Sequence, residues 1–376
     1  MKFIIDCQPI VQDCIHPSTV EFIIKCHQLF MQKKPETEWL FILDKKYADN
    51  EILKEIPSQN ILFKKVIANQ FGRKFWYDYQ LPALIKKNKV DLLITAGGVA
   101  SSSSISQCAW VTGLYDNKHS KEAKKYSKFY KKRLQKTLEL SKAILVLSEK
   151  AKRSLIEKNN LSGRKINVLR SAAEEDFIQL TWGEKESVKT KYAAGTEYFI
   201  VLADAQQHAI IINVMKSFSV FKKRQQSNMQ LVLLGNGLKN DIDFVEKLET
   251  FKYRNDVHVY DNINEDELRK IISAAYILVH PFNEDEIGTV VLNAFKANVP
   301  VIISEKGNLA EIAADAALYA DADDIDKLAN QMMLLYKDEK LRNKQIEKGE
   351  AQWQKFSLDE TIMQFENAIM QAVDNQ

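Results

Sequence analysis

Residues 280–300 read HPFNEDEIGTVVLNAFKANVP, and their pattern determines the fold class that we expect. The apolar run 275–279 directly before them is short and rich in β-formers, which predicts a buried strand. An acidic loop follows, and the apolar spacing of 290–295 then predicts a helix. A strand, a loop and a helix N-terminus in this order form the place where open α/β sheets bind ligands. We therefore expect a ligand site at this end of the strand.

Three consecutive acids precede the predicted helix. A helix start offers unpaired backbone N–H groups and the positive end of a dipole, both of which suit a phosphate. Glu284, Asp285 and Glu286 lie just ahead of Gly288, so their carboxylates would satisfy the same donors and repel a diphosphate. Three adjacent acids could also hold a divalent metal ion. Capping of the helix is the interpretation that we favour.

Length and composition indicate a globular protein of two domains. The 376 residues are 45% hydrophobic and 27% charged, which is ordinary for such proteins. The net charge of +3 gives no reason to expect a nucleic-acid partner. The four cysteines show neither a CxxC pair nor metal-ligand spacing, which favours buried thiols in a reducing compartment. No apolar run approaches the ~18 residues of a membrane span. The N-terminus is too short and polar for a signal peptide, so we expect a cytoplasmic protein.

The N-terminal half of the chain alternates predicted strands with predicted helices. Ser18 is available as the cap of the first helix, and Pro82 marks a kink or a start in the second. The apolar runs predict strands at 3–5, 39–43, 61–64, 90–95, 108–114, 143–147 and 166–169, and helices at 18–31 and 75–86.

Two surface features of this half leave alternatives open. The aromatic residues of 75–79 could stack on a sugar, but packing of their helix against the sheet is the interpretation that we favour. The segment that begins at Lys118 and ends at Lys136 carries eight lysines and one arginine against one glutamate. Tyr126, Phe129, Tyr130 and Leu134 fall at helical spacing within it. Either this aromatic stripe faces the N-terminal core, which we favour, or the helix contacts a membrane surface.

The second half repeats the alternation after a predicted linker at 174–186, which holds two acidic clusters. Strands are predicted at 198–202, 231–234 and 257–260, and helices at 209–223, 241–250 and 265–274. The last predicted helices are 325–336, 340–353 and 358–373. Because strands and helices alternate throughout, we expect two parallel doubly wound domains.

The stretch 280–300, together with VPVIISEKGNLAEIAADAALYADADD at 299–324, resembles the C-terminal half of retaining glycosyltransferases of family 4, also described as glycosyl transferases group 1. The resemblance covers nearly the whole chain and is strongest from Leu138 onward. It implies the GT-B fold, in which two Rossmann-like parallel-sheet domains face each other across a cleft. The acceptor-side domain would be 1–180 and the nucleotide-sugar domain 190–352, with a C-terminal helix in 353–376 that crosses back to the first domain.

The acceptor side of the implied site departs from the family pattern. The loop after the first strand is glycine-rich in the family, whereas here it reads QDCIHPST and contains no glycine. A Cβ on every residue limits close approach of the backbone to a ligand. The family's His-Asp pair falls on Thr112 and Gly113, neither of which can do acid or base work.

The donor side departs as well. The family's Arg-Lys pair, which neutralises the diphosphate, falls on His208 and Ala209. Each lost charge-assisted contact would remove roughly 1.5–3 kcal/mol, so the two together lower donor affinity on the order of a hundredfold or more. The family's paired acids, with the loop and helix start between them, fall on Asp285, Glu286, Gly288, Thr289 and Asn293. Of these, Asp285 would stand at a catalytic position and Asn293 at the ribose.

Two functions follow from these residues. The first is a non-catalytic partner, scaffold or glycan-binding subunit beside an active glycosyltransferase, and we rank it first because the donor positions have lost their charges. The second is an active retaining glycosyltransferase that moves a hexose from a UDP- or GDP-linked sugar to a glycan, lipid-linked or protein acceptor. An epimerase-like enzyme of the same fold would need the same phosphate grip. We expect no metal and no cofactor besides a nucleotide sugar, and a cytoplasmic protein with peripheral contact at the inner membrane as an alternative.

Overall fold

The structure is a computed structural model that describes residues 1–8, 17–45, 56–67, 69–112, 121–202, 207–283, 285 and 287–374, with only the backbone described for 17 and 121–127. The chain divides into two compact units. The first comprises Met1–Ser171 with Leu358–Gln376, and the second comprises Ala172–Ser357. No helix in the described part of the chain is long and apolar enough to cross a membrane.

The first unit is built on a parallel sheet of seven strands. The strands are β1 (Lys2–Asp6), β2 (Glu38–Leu43), β3 (Ile61–Phe63), β4 (Leu92–Thr95), β5 (Ser106–Trp110), β6 (Ala143–Val146) and β7 (Ile166–Val168). Their order is β3-β2-β1-β4-β5-β6-β7. The central strands are buried on both faces, as expected where helices cover both sides of a parallel sheet.

The helices of this unit confirm one prediction made from the local sequence and contradict another. They are α1 (Pro17–Lys33), α2 (Gln70–Phe75), α3 (Leu81–Asn88), α4 (Lys121–Leu140) and α5 (Glu149–Asn159), with a π-helix (Trp76–Gln80) joining α2 to α3. Ser18 lies inside the first turn of α1, so the prediction that it caps the helix was wrong. Pro82 occupies the first turn of α3, where the N–H that proline lacks is not needed, and this confirms a predicted helix start.

The second unit is built on a parallel sheet of six strands. These are β8 (Tyr198–Leu202), β9 (Gln230–Gly235), β10 (Val257–Asp261), β11 (Ile277–His280), β12 (Val301–Ile303) and β13 (Ala317–Tyr319), in the order β10-β9-β8-β11-β12-β13. The helices are α6 (Trp182–Tyr192), α7 (His208–Gln225), α8 (Ile242–Glu249), α9 (Glu265–Ser273), α10 (Thr289–Lys296), α11 (Leu309–Ala313), α12 (Ile325–Lys337) and α13 (Glu339–Trp353). Two hydrophobic clusters fill the two sides of this sheet.

The predicted linker at 174–186 differs from the structure, because α6 begins within it. The Thr181 hydroxyl accepts a hydrogen bond from the backbone N–H of Glu184, and the Glu184 carboxylate accepts one from the backbone N–H of Thr181. This capping box fixes a helix start at Trp182. The whole predicted linker lies in the second unit.

The last helix, α14 (Leu358–Asp374), packs on the first unit although it follows the second unit in the chain. The Phe365 ring lies 5.0 Å from the His27 ring and 5.7 Å from the Trp110 ring, centroid to centroid. The Thr361 hydroxyl donates a 2.6 Å hydrogen bond to the Arg170 carbonyl. These contacts confirm the predicted return of the C-terminal helix to the first domain.

Three of the four cysteines lie in the described part of the chain. Cys7, Cys26 and Cys108 are buried free thiols, as the sequence predicted. Burial raises the thiol pKa of all three, because the thiolate would lose its hydration. Cys14 lies outside the described residues.

Candidate functional site

The candidate site lies at the carboxyl edge of the second sheet, where the strand order reverses between β8 and β11. These two strands pair directly, with Phe199 opposite Ile277 and Ile200 opposite Leu278. The chain leaves β8 toward α7 on one side of the reversal and leaves β11 toward α10 on the other. Such a reversal opens a crevice at the carboxyl ends of the strands, which is where ligands bind in open α/β sheets. The strand, loop and helix start of 275–296 lie at this reversal, and a ligand site there stays a prediction.

Asp285 braces the loop between β11 and α10. Its Oδ1 accepts hydrogen bonds from the backbone N–H groups of Ile287, at 3.0 Å, and Gly288, at 2.8 Å. Its Oδ2 lies 3.1 Å from Nε2 of His280, the last residue of β11. Both side chains are buried. Asp285 thus organises the loop ahead of α10. The N–H groups that it bonds precede the helix, so capping of the helix itself stays a prediction. Glu284 and Glu286 lie outside the described residues.

Gly288 supplies a backbone conformation at the start of α10. Its φ is +67°, in the left-handed region where a Cβ is unfavourable. A Cβ at this position would also lie 2.5 Å from Cδ1 of Ile312. The loop therefore requires glycine for its turn and for its close packing on α11. Thr289, the next residue, is half-buried and begins the helix.

Asn293 is bonded on both of its polar atoms. Its Oδ1 accepts a 2.8 Å hydrogen bond from the backbone N–H of Glu174, and its Nδ2 donates a 3.0 Å bond to Oε1 of the same residue. Lys296, one turn later in α10, donates to the carbonyls of Glu174, at 2.8 Å, and Glu175, at 2.9 Å. The position that the resemblance implies for ribose binding therefore ties the segment 174–175 to α10. No signal in the sequence links residues 119 positions apart, so sequence reasoning missed this pairing.

A second cation holds the same acidic segment. The Arg269 guanidinium on α9 lies 3.9 Å from Oε2 of Glu174 and 3.7 Å from Oδ2 of Asp176. It also donates to Asp266 at 2.8 Å and to Glu265 at 3.1 Å within its own helix. Four carboxylates thus surround one guanidinium. A negatively charged ligand gains little attraction from a cation that is already compensated in this way.

His208 begins α7, and Ala209 follows as an exposed residue. Nδ1 of His208 lies 3.4 Å from Oδ2 of Asp241, which also caps α8 by accepting a 2.8 Å bond from the backbone N–H of Phe244. The positions that the resemblance implies for the diphosphate grip therefore hold an imidazole beside a carboxylate and a methyl group. A protonated His208 would be neutralised by Asp241 rather than left for a phosphate.

A further polar network, which the sequence analysis missed, lies beside this loop. The Ser304 hydroxyl, after β12, bonds to Asn283 and Asp321, and Nζ of Lys306 lies 2.9 Å from Oδ2 of Asp321. Burial alone would raise the pKa of Asp321, but hydrogen bonds from Ser304 and Lys306 lower it overall. A Cβ on Gly307 would lie 2.8 Å from the Asn283 carbonyl, so the two loops are in close contact. The polar side chains of these loops therefore hydrogen-bond to one another.

The remaining predicted positions lie in the first unit. Thr112, two residues beyond β5, is buried, and its hydroxyl has no hydrogen-bond partner among the described residues. Gly113 lies outside the described residues. Within the described ranges, no group of three or more His, Cys, Asp or Glu side chains could hold a metal ion.

Two parallel-sheet Rossmann-like units define the GT-B class, and comparison with solved structures agrees. A glycosyltransferase from Rickettsia africae superimposes with a TM-score of 0.74 at 16% identity, covering 100% of this chain and 99% of that one. Residues 184–352 match the family model of glycosyl transferases group 1. The second unit therefore contains a stretch similar to glycosyl transferases group 1, which agrees with the family resemblance that the sequence suggested.

Two curated relatives are similar over part of their length. The O-antigen chain mannosyltransferase B of Escherichia coli is 23% identical over 243 residues, which are 64% of this chain and 64% of the relative. The O-antigen chain mannosyltransferase RfbU of Salmonella typhimurium is 25% identical over 192 residues, 51% of this chain and 50% of the relative. The match thus spans between half and two thirds of each relative.

Proposed function

We propose that this protein serves glycan assembly as a non-catalytic partner, scaffold or glycan-binding subunit beside an active glycosyltransferase. Support for glycan assembly comes from the glycosyl transferases group 1 domain and from relatives named as O-antigen chain mannosyltransferases. Support for a non-catalytic role comes from the donor side of the site. A nucleotide diphosphate needs cations and free N–H donors, and this sequence replaces the implied cations by His208 and Ala209.

The engagement of Asn293 with Glu174 carries the proposal. Asn293 is only 2% exposed, and Glu174 takes one acceptor position of its Oδ1 and one hydrogen of its Nδ2, so a ribose hydroxyl would have to displace Glu174 to reach it. Asp285 is engaged in the same way by two backbone N–H groups and by His280. A donor would have to replace these bonds with its own, so its net gain would be small.

Active retaining transfer of a hexose from a UDP- or GDP-linked sugar is the second candidate. The observation that favours it is the name of both relatives, which transfer mannose. His208 is 36% exposed and could offer one hydrogen bond to a phosphate. In this case the donor would be held with little charge assistance.

A complementation experiment separates the two candidates. The gene is deleted in its host, and the surface glycan is compared after return of the wild type or of the double variant His208→Ala/Glu286→Ala. We expect both to restore the glycan equally, because a partner subunit does not need donor contacts. A double variant present at the wild-type level that restores no glycan would favour the active enzyme. Gly288→Val, which we expect to disrupt the α10 loop, serves as the control for loss of the folded protein.

A further inference from the structure

Exposed apolar side chains concentrate in one short stretch of the first unit. Five of the eleven large hydrophobic side chains exposed in the described part of the chain lie between residues 63 and 79. Three of them form what we call the aromatic stripe, Phe71, Phe75 and Tyr79, which are 78%, 45% and 65% exposed. The rings of Phe75 and Tyr79 lie 5.5 Å apart, centroid to centroid. A contiguous apolar surface of this kind marks a place where something else binds.

The stripe faces outward because the opposite face of the same helical stretch is filled. Trp76 and Tyr77 are each only 2% exposed, and the Tyr77 ring stacks on Phe129 of α4 at 5.9 Å. In the π-helix, the step of four residues from Phe75 to Tyr79 is slightly less than one turn, so the stripe continues along one side. The stripe therefore contributes little to the core, and most of what it does contribute comes from Phe75, which is 45% exposed. The expectation that the aromatics of 75–79 all pack on the sheet was wrong for Phe75 and Tyr79.

Ile67, which precedes α2, extends this apolar surface and is held in place by its packing on the helix. Asn69 caps α2 by accepting a 2.7 Å hydrogen bond from the backbone N–H of Gly72. A Cβ on Gly72 would lie 2.4 Å from Cβ of Ile67, so Ile67 is held directly against the first turn of the helix. Ile67 is 60% exposed. The apolar surface thus exists before any ligand binds and needs no ordering step.

Positive charge accompanies the stripe. Residues 56–90 contain seven lysines and arginines and one acid, Asp78. Two hydrogen bonds from Arg133 of α4, at 2.8 and 3.1 Å, already compensate that acid. Lys64, Lys65 and Lys74 are exposed around the stripe. Pairing of this surface with a second copy of itself would bring like charges together, whereas an anionic surface complements it.

We propose that the aromatic stripe, with Ile67 and the lysines 64, 65 and 74, binds the surface of a bilayer that contains anionic lipid headgroups. Aromatic rings are favoured at the membrane–water interface, and lysines beside them are attracted to anionic headgroups. The convex face of a helix, which offers projecting rings and no groove, suits a lipid surface. The inference goes beyond the proposed function, and it does not depend on whether the donor site binds a nucleotide.

This proposal moves the membrane contact away from the segment that the sequence suggested. Within α4, Phe129 and Tyr130 are buried, which confirms the favoured prediction that these two aromatic residues of the helix face the core. Among the residues of α4 whose side chains the structure describes, 128–140, no exposed aromatic ring is therefore available for insertion. Its exposed lysines, such as Lys128 and Lys132, can add attraction beside α2, against which α4 packs.

Vesicle co-sedimentation of the full chain tests the proposal. We expect binding to vesicles of phosphatidylcholine mixed with phosphatidylglycerol and little binding to phosphatidylcholine alone. Phe71→Ser should weaken vesicle binding at least about tenfold, because the transfer of an aromatic ring out of water strengthens affinity by more than that factor. Lys74→Ala should weaken it about fivefold. Both residues are exposed, so the variants should keep the wild-type melting temperature.

Matched controls and a second readout define the outcomes. Trp182→Ser and Lys247→Ala change equally exposed residues of the second unit and should leave binding unchanged. In Phe71→Trp, indole emission should move to shorter wavelength when anionic vesicles are added. Binding that survives Phe71→Ser combined with Phe75→Ser would overturn the proposal. Light scattering that finds a dimer which Phe71→Ser dissociates would also overturn it, by assigning the stripe to a second copy.

Discussion

Asp285 shows how one side chain can hold a whole loop. Its carboxylate accepts bonds from two backbone N–H groups and from His280, all within a buried environment. Asp285→Ala leaves these donors without partners, so we expect the free energy of unfolding of the second unit to fall by about 3 kcal/mol. Asp285→Asn keeps one oxygen acceptor and should cost less. Calorimetric unfolding measures both variants. A free energy of unfolding that is the same in Asp285→Ala as in the wild type would show that the Asp285 hydrogen bonds contribute nothing to stability.

A substitution at Asn293 tests whether this residue stabilises the fold or binds a ligand, because the two roles predict opposite changes in nucleotide affinity. Asn293→Glu restores the acid that the family resemblance implies, but it places a second carboxylate against Glu174, which lies 3.0 Å from the present amide. We therefore expect lower stability than in Asn293→Ala and no gain in nucleotide affinity, because like charges repel. Thermal unfolding and nucleotide titration of both variants check this. Tighter nucleotide binding by Asn293→Glu would mean that the position faces a ligand.

Two buried groups in the first unit respond to pH in opposite directions. Burial lowers the pKa of His27 to about 4, so its contribution to stability is complete above pH 6.5 and is lost as pH falls toward 4. Burial raises the pKa of Asp6 to about 6, since hydrogen bonds from Tyr77 and from the backbone N–H of Gln8 offset only part of the effect. Its contribution is complete below pH 3.8 and is lost as pH rises through 6. Each change amounts to about 3 kcal/mol.

These opposite signs give paired expectations for two variants. Relative to the wild type, His27→Gln should gain about 3 kcal/mol of stability as pH falls from 6.5 to 4, because it no longer excludes a proton. Asp6→Asn should lose a similar amount between pH 6 and 4, because it no longer takes one up. Urea unfolding at several pH values measures both trends. Parallel curves for wild type and variants would contradict the assignment of these groups.

The individual site residues show what a sequence can and cannot reveal. An acid ahead of a glycine and a helix start is a local pattern, so a bonded Asp285 was predictable, but its bonds go to the loop N–H groups of Ile287 and Gly288. The partner of Asn293 was not predictable, because Glu174 is brought to it only by the fold. His208 next to Asp241 is a further example, since the two residues begin different helices.

The helix α4 and the π-helix are joined at Asp78, which pairs with Arg133 at 2.8 Å and lies 3.6 Å from Nζ of Lys136. The Arg133 guanidinium bonds both oxygens of Asp78, and its own side chain lies over the rings of Tyr77 and Phe129. Burial alone would raise the pKa of Asp78, but bonds from Arg133 and Ser102 and the charges of Arg133 and Lys136 lower it to about 2. The pair is thus intact at all ordinary pH values.

Asp78→Ala should separate these two elements. It leaves the largely buried Arg133 without its carboxylate, so we expect the free energy of unfolding to fall by about 2–3 kcal/mol. Glu38→Ala removes an exposed ion pair with Lys2 and serves as the control, with no measurable loss expected. Denaturant unfolding compares the two. Equal behaviour of both variants would contradict a supporting role for Asp78.

Element positions were largely predictable, but the outward face of α2 was not. Short apolar runs identified the strands because both sheets are covered on both sides, which makes their strands apolar throughout. The π-helix at Trp76–Gln80 has no local sequence signature, and it is the turn that directs Trp76 and Tyr77 inward while Phe75 and Tyr79 remain in solvent. A run of aromatics therefore did not reveal which rings face the core.

The whole chain combines the strand and helix pattern of the GT-B fold with site residues that depart from the family pattern, and the two were predictable to different degrees. Alternating strands and helices were enough to predict two doubly wound domains, and the strand orders confirm them. The return of α14 to the first unit was predicted only from the family resemblance, because the apolar residues of this helix do not specify which unit it packs against.

A calorimetric titration of the full chain tests the central claim most directly. UDP, GDP and their sugars are added with and without Mg²⁺ or Mn²⁺, after unfolding scans have shown that both units are folded. The account predicts no binding at micromolar concentrations, because the protein itself occupies the donor-side groups of Asp285 and Asn293. Micromolar binding that His208→Ala weakens would contradict it and would establish a rebuilt donor site.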